Sequence, residues 1–248
     1  MPSKNIATEG IILHKTNFGE YDQYITFYSP TLGKIEAIAK GSRKISSPFL
    51  GHLETLNICK FQLYKSLYAY TIIKCQAVHS FKEIRSDFDK SAMAILFSEI
   101  FHKTAHSHEQ TQNLFELLKE SLTHLSQSNN HSLCLEAFKI KLLSQLGLLP
   151  EIKNCSICHR KWNEDSLILI SEDGHLSCQH CRFSNTSYRT INFMDMKLIN
   201  FIGTAGFGEI EKIIIPQPNH TVIKKFGDLF LNHFTGKEML SESLVQSL

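Results

Sequence analysis

Four of the seven cysteines of this 248-residue chain fall into one pattern, Cys155-x2-Cys158-x19-Cys178-x2-Cys181. Each Cys-x2-Cys pair offers two sulfurs from one tight turn, and thiolates at this spacing suit Zn²⁺ in a tetrahedral site. Four sulfurs fill every position on the ion and leave none for water, so the expected role is structural. Binding of this kind contributes on the order of 10–16 kcal/mol in zinc-finger peptides, enough to fold a module of about thirty residues. His159, His175 or His180 could stand in for one cysteine, and a redox dithiol is another use of such a pair. The complete four-thiolate set is the simplest assignment. Cys59, Cys75 and Cys134 lie singly in apolar surroundings, where a free thiol behaves as a small hydrophobe. Lys153, Arg160, Lys161 and Arg182 flank the cysteine pairs. They either offset the negative charge of a four-thiolate zinc or contact nucleic acid.

The second group is basic. Residues 1–80 carry nine Lys and Arg against five Asp and Glu, whereas residues 81–248 carry seventeen against nineteen. Lys34, Lys40, Arg43 and Lys44 crowd one predicted strand and the loop after it. Lys60, Lys65 and Lys74 alternate with Phe61, Tyr64, Tyr68 and Tyr70 further on. Cations for phosphates and aromatic rings for bases are what a single-stranded nucleic acid needs, although tyrosines also serve as barrel core or rim. No catalytic constellation stands beside these groups. There is no Walker-type glycine loop and no G-x-S-x-G elbow. His102 and His106 share a helix face, with His108 nearby, but no acid lies between them to act as a base.

Elements must hold these groups in place. Ala7–His14, Gln23–Ser29, Lys34–Lys40, Asn57–Lys65 and Tyr68–Val78 are rich in Ile, Phe, Tyr and Thr and are separated by turn residues. Five short strands in about 80 residues suit a small closed barrel of the OB type, and an SH3-like barrel nearly as well. On the third strand Ile35, Ala37 and Ala39 face one way and Lys34, Glu36 and Lys40 the other, with Ile38 breaking the polar face.

Helical spacing follows. Ser86–Thr104, a stripe of Leu114, Leu117, Leu118, Leu122 and Leu125 with a capping box at Ser107 and Gln110, and Ser132–Leu146 predict three helices. Gly147 supplies a stop and Pro150 prevents continuation. Leu167–Ser171 predicts a strand, and Asp173-Gly174 the turn returning the chain to Cys178. Ile223, Phe226, Phe230 and Phe234 mark a last helix ending at Gly236. The expected class is therefore α+β: a barrel over 1–80, a helical domain beginning in 81–150, an inserted four-cysteine module over 151–184, and the rest of the helical domain in 185–248.

With 42% hydrophobic and 20% charged residues the composition is that of an ordinary globular protein. No apolar run approaches the ~20 residues of a membrane helix, and the first residues lack the core of a secretory signal. A cytoplasmic protein is expected.

A series of motifs runs along the chain: Gly10-Ile-Ile-Leu-His-Lys15, Glu20-Tyr-Asp22, Gly33-Lys34, Ala39-Lys-Gly-Ser-Arg-Lys44 and Phe49-Leu-Gly51. It continues in Leu146-Gly-Leu-Leu-Pro150 and in Gly174-His-Leu-Ser-Cys-Gln-His-Cys181. In these the chain resembles the RecO family of bacterial DNA repair proteins. The order of barrel, helices, cysteine module and helices is similar over nearly the full length.

That resemblance implies an OB-fold barrel, a helical domain, a structural Zn²⁺ and no enzymatic turnover. It further implies binding of single- and double-stranded DNA and annealing of complementary strands. Expected partners are RecR, in some lineages RecF, and the acidic C-terminal tail of the single-stranded DNA-binding protein, which RecA replaces on gaps. Lys40, Arg43 and Lys44 match the family's basic strand-and-loop motif, and the four cysteines its metal ligands. The competing classes are a zinc-dependent nucleic-acid enzyme, which needs an open metal site or paired acids, and a pure interaction scaffold, which would lack DNA affinity.

Overall fold

A computed structural model describes residues 5–106, 112–150, 152–171, 173–182 and 187–236. Five strands, β1 (Asn5–Phe18), β2 (Asp22–Ser29), β3 (Gly33–Ala39), β4 (Ile58–Lys65) and β5 (Tyr70–His79), close into a barrel in the order β1-β2-β3-β5-β4. All pairings are antiparallel except β3 with β5, where Ala37 and Ile38 face Tyr70 and Thr71. This is the OB-type closure rather than an open sheet.

β1 is longer than its apolar run predicts because it serves two neighbours. Asn5 to Ile11 pair with β4, and Ile11 to Phe18 with β2, with an irregularity between Ile12 and His14. Alternation fills the interior. Ile35, Ala37 and Ala39 point inward beside Ile25, Phe27, Phe61 and Leu63, and the rings of Phe27 and Phe61 stack at 4.3 Å. Gly10 makes room for that stack, since a Cβ there would sit 2.6 Å from Phe27 Cδ2.

Three helices belong with the barrel: α1 (Lys82–Arg85), α2 (Phe88–Thr104) and α3 (Gln112–Gln127). The Asp87 side chain caps α2 by accepting from the Lys90 amide. Helix α2 lies against β1, where the Ser98 hydroxyl donates to the Leu13 carbonyl at 2.7 Å and Phe101 meets the buried Tyr28 edge-on. The leucine stripe of α3 is buried as its spacing predicts. The Ser107–Gln110 capping box lies outside the described residues.

A second compact unit begins at Asn130, inside the 81–150 stretch. Asn130 caps α4 (His131–Gln145) by accepting from the Leu133 amide, and Gly147, at φ 68°, follows its end. Next comes a sheet of β6 (Leu167–Ser171), β7 (Leu176–Cys178) and β8 (Tyr188–Asn192), ordered β7-β6-β8. The helices α5 (Phe193–Thr204), α6 (Phe207–Ile210) and α7 (Gln217–Thr235) complete the unit. Helix α4 packs on all three, so the helices on either side of the cysteine segment share a core. Gly174 is required twice in the β6–β7 turn. Its φ is +78°, and a Cβ would lie 2.7 Å from Phe230 Cε1 of α7. At the centre of this core the buried Lys139 ammonium bonds Glu136 at 3.2 Å and Asp228 at 2.7 Å. Among the described residues no helix is long and apolar enough to cross a membrane.

Candidate functional site

The hairpin of β6 and β7 brings the two cysteine pairs together. Cys155 donates its amide to the Arg160 carbonyl and accepts from the His159 amide, closing the first turn with His159 at φ 56°, a left-handed conformation. Ser156 donates both its amide and its hydroxyl to the Leu176 carbonyl, which ties that turn to β7. Cys178 ends β7, and a single 3₁₀ turn over Gln179–Cys181 delivers the fourth sulfur.

All four sulfurs lie within 4.8 Å of one another, and Cys158 Sγ is 3.9 Å from Cys178 Sγ. A tetrahedral ion with Zn–S bonds of about 2.3 Å places sulfurs about 3.8 Å apart, so the set fits such an ion. Burial opposes ionisation of the Cys155 thiol, but the amides of Cys158, Cys178 and Ile157 outweigh it and draw its pKa down to about 6. At Cys155 the thiolate is therefore favoured, whereas hydrogen bonding with Cys178, burial, and hydrogen bonding with Cys158 and Cys155 push the Cys181 thiol up to about 12. His159, His175 and His180 are exposed and stand outside the cluster. Lys153, Arg160, Lys161 and Arg182 stay at the surface around it. The His102–His106 pair joins no metal cluster among the described residues, and His108 lies outside them.

The second site is the rim of the barrel where the β1–β2 turn meets the loop after β3. Gly19 and Gly41, at φ 61° and 65°, shape the two turns. Asp22 accepts from the Gly41 amide at 2.7 Å, and Arg43 donates its backbone amide to the Tyr21 carbonyl and its guanidinium to the Glu20 carbonyl. Lys44 Nζ rests 5.3 Å from the centre of the Tyr21 ring. A hydrogen bond to Glu20 raises the Tyr21 phenol above its ordinary pKa. Lys40, Arg43 and Lys44 are exposed, and half-exposed Phe18 packs on Tyr24 at 4.8 Å beside them. The outcome is a cationic edge with an aromatic floor.

That floor continues across the outer face of the sheet. Tyr24 pairs with Ile38, Ile38 with Thr71, and Thr71 with Tyr64, one row over four strands. Ile38, which breaks the polar face of β3 in the sequence, is the aliphatic link of this row. Phe18, Tyr21 and Tyr24 are the functional candidates that sequence reasoning missed; the signal was their clustering about the Gly19 turn.

Not every basic residue joins the patch. Lys34 lies six residues before Lys40, about 20 Å away along the strand. Its ammonium donates to the His102 carbonyl at 2.7 Å in the last turn of α2, and burial lowers its pKa. Among the tyrosines and the phenylalanine interleaved with Lys60, Lys65 and Lys74, Phe61 is core and Tyr70 packs against the core. Tyr64 lies on the outer row, and Tyr68 sits in the β4–β5 turn.

Comparison with known proteins agrees with this architecture at both ends. Residues 1–81 match the family model described as "Recombination protein O N terminal", and residues 85–242 match "Recombination protein O C terminal". The chain is 31% identical over 211 residues to the DNA repair protein RecO of Dehalococcoides mccartyi, covering 85% of this chain and 83% of that protein. It is 28% identical to the RecO of Alkaliphilus metalliredigens, over 89% of each chain. With the RecO of Bacillus pumilus it shares 25% identity over 98% of this chain and 94% of that one.

Proposed function

The chain belongs to the RecO family of DNA repair proteins, and from that premise we propose that it is a non-enzymatic recombination mediator whose barrel rim holds DNA by its phosphates. The observation that carries this reading is the meeting of Lys40, Arg43 and Lys44 with Phe18, Tyr21 and Tyr24 at one end of the barrel. Annealing requires two backbones to be held near each other with base edges left free, so phosphate contacts should dominate. Lys34 stands apart from this phosphate set, because its ammonium is committed to the end of α2.

The ion suited to the four cysteines is Zn²⁺, with a structural role. Single- and double-stranded DNA, RecR, in some lineages RecF, and the acidic tail of the single-stranded DNA-binding protein are the partners this reading assigns. Its outcome is the loading of RecA onto gaps, in the cytoplasm.

The test is the salt dependence of single-strand binding by the Lys40→Ala, Arg43→Ala, Lys44→Ala triple variant. Each neutralised phosphate contributes a slope of about −0.7 in log affinity against log salt, so losing three contacts flattens it by about 2. Affinity should fall equally on all sequences, and salt-sensitive acceleration of annealing should fall with it. An unchanged slope removes these residues from the interface.

A further inference from the structure

The β4–β5 turn presents two large apolar side chains to solvent: Leu67 is 91% exposed and Tyr68 95%. The Ser66 amide and hydroxyl both donate to the Ala69 carbonyl, at 2.9 Å each, and the same hydroxyl accepts from the amides of Ala69 and Tyr68 at 3.0 and 3.4 Å. Both flanks are fixed, since Lys65 pairs with Tyr70 across the hairpin and its ammonium lies 5.4 Å from the centre of that ring. The turn is thus knitted by its own backbone and one serine, and its shape does not depend on Leu67 or Tyr68 burying anything.

We propose that Leu67 and Tyr68 form a base-stacking wedge that enters the stack of a DNA strand held on the barrel, an inference that rests on the DNA-binding reading above. Apolar side chains on rigid projections are the means by which proteins part neighbouring bases, and aromatic rings accept any base because each has a π-face. A nucleic acid suits this tip because a base offers both faces of a ring to Tyr68 whatever the sequence.

Position supports the same occupant. The parallel pairing of Ala37 with Tyr70 fixes the tip relative to the cationic rim. Tyr68 lies two residues to one side of that pair and Lys40 three to the other, about 17 Å of strand in all. Between them runs the outer row of Tyr24, Ile38, Thr71 and Tyr64. One strand crossing that row would meet phosphate contacts at one end and the wedge at the other, about 17 Å away.

The experiment uses the full-length protein with its metal and a 20-nucleotide strand of thymines with one central 2-aminopurine, whose fluorescence rises on unstacking. Tyr68→Ala should weaken binding roughly fivefold to a hundredfold and abolish the fluorescence rise. Tyr68→Phe should retain both. Because no charge is lost, the salt slope of Tyr68→Ala should equal that of the parent. Both side chains are almost wholly exposed, so the fold survives the change. If Tyr68→Ala binds and unstacks like the parent while the triple variant loses affinity, the wedge is wrong and the rim reading stands. If the parent protein binds no single strand at low salt, the rim reading itself fails, and the wedge with it.

Discussion

In the barrel Ile25, Phe27, Phe61 and Leu63 are no more than 1% exposed, and every strand has a neighbour on both sides. The sheet beside the cysteines has three strands and is not closed, and Trp162, Ile168, Leu169, Ile170, Leu176 and Ile191 are the buried apolar residues described in and around it. At about 1.5–3 kcal/mol for each fully buried large side chain, the barrel has ample apolar area to hold itself closed. The cysteine segment has little to set against the entropy of ordering its loops. The difference teaches where each region can keep its stability: in burial for one, and in an ion held by its four clustered sulfurs for the other.

Removing the metal should break the second region and spare the first. Trp162 is the sole tryptophan and is buried within the cysteine segment, so its emission reports on that segment alone. A strong chelator should shift it to the red, a loss on the order of 10 kcal/mol of binding-coupled folding, while single-strand binding at low salt persists. Unchanged emission after verified metal loss would mean that the segment stands on its own small core.

The reciprocal change is Phe61→Ala, which deletes half of the Phe27–Phe61 stack. Chemical denaturation should show a loss of about 3–5 kcal/mol, with the stoichiometry of any metal bound at the cysteines intact. Loss of the metal in that variant would join two stabilities that the comparison keeps apart.

A smaller effect separates the cysteine sheet from the helices packed beneath its turn. Burial raises the Glu136 carboxyl to about 7; Lys139 opposes the shift, Asp228 adds to it and Lys224 opposes it. The folded state then holds a proton that the unfolded chain releases near 4.5. Stability from this group is full below about pH 4.5 and is lost as pH rises through 7. Glu136→Gln should flatten that decline, by no more than about 3 kcal/mol at neutral pH. Parallel pH profiles for variant and parent would show that the helical core does not feel this carboxyl.

Much of this was legible in the residues. The Leu167–Ser171 strand and the α2 terminus at Thr104 follow from β-rich runs and helical stripes. The cysteine cluster follows from spacing alone, because two tight turns joined by a hairpin leave the sulfurs few other arrangements. What escaped depends on contacts distant in sequence. Tyr68 reads as the start of a strand, since only pairing shows that β5 begins at Tyr70. Lys34 is indistinguishable in sequence from Lys40 until the end of α2 arrives on it. Strand β8 is short and mostly exposed, and it exists because β6 offers it an edge. Ile38 looked like noise in an alternation whose outer face proved to carry an apolar row of its own.

The divided service of β1 has a consequence for the order in which the molecule is made. Its second half can pair with β2 as soon as the Gly19 turn leaves the ribosome. Its first half waits for β4, more than forty residues later, because Ile11 meets Ile58 and Asn5 meets Tyr64. Until then, the backbone of residues 5–10 has no partner strand on either side, and an open edge of that kind is a surface that recruits other chains. Glu9 lies in the middle of that edge and later faces Lys60 across the closed ladder. A charge that guards the growing chain against mispairing thus becomes half of an opposite-charge pair once the barrel shuts.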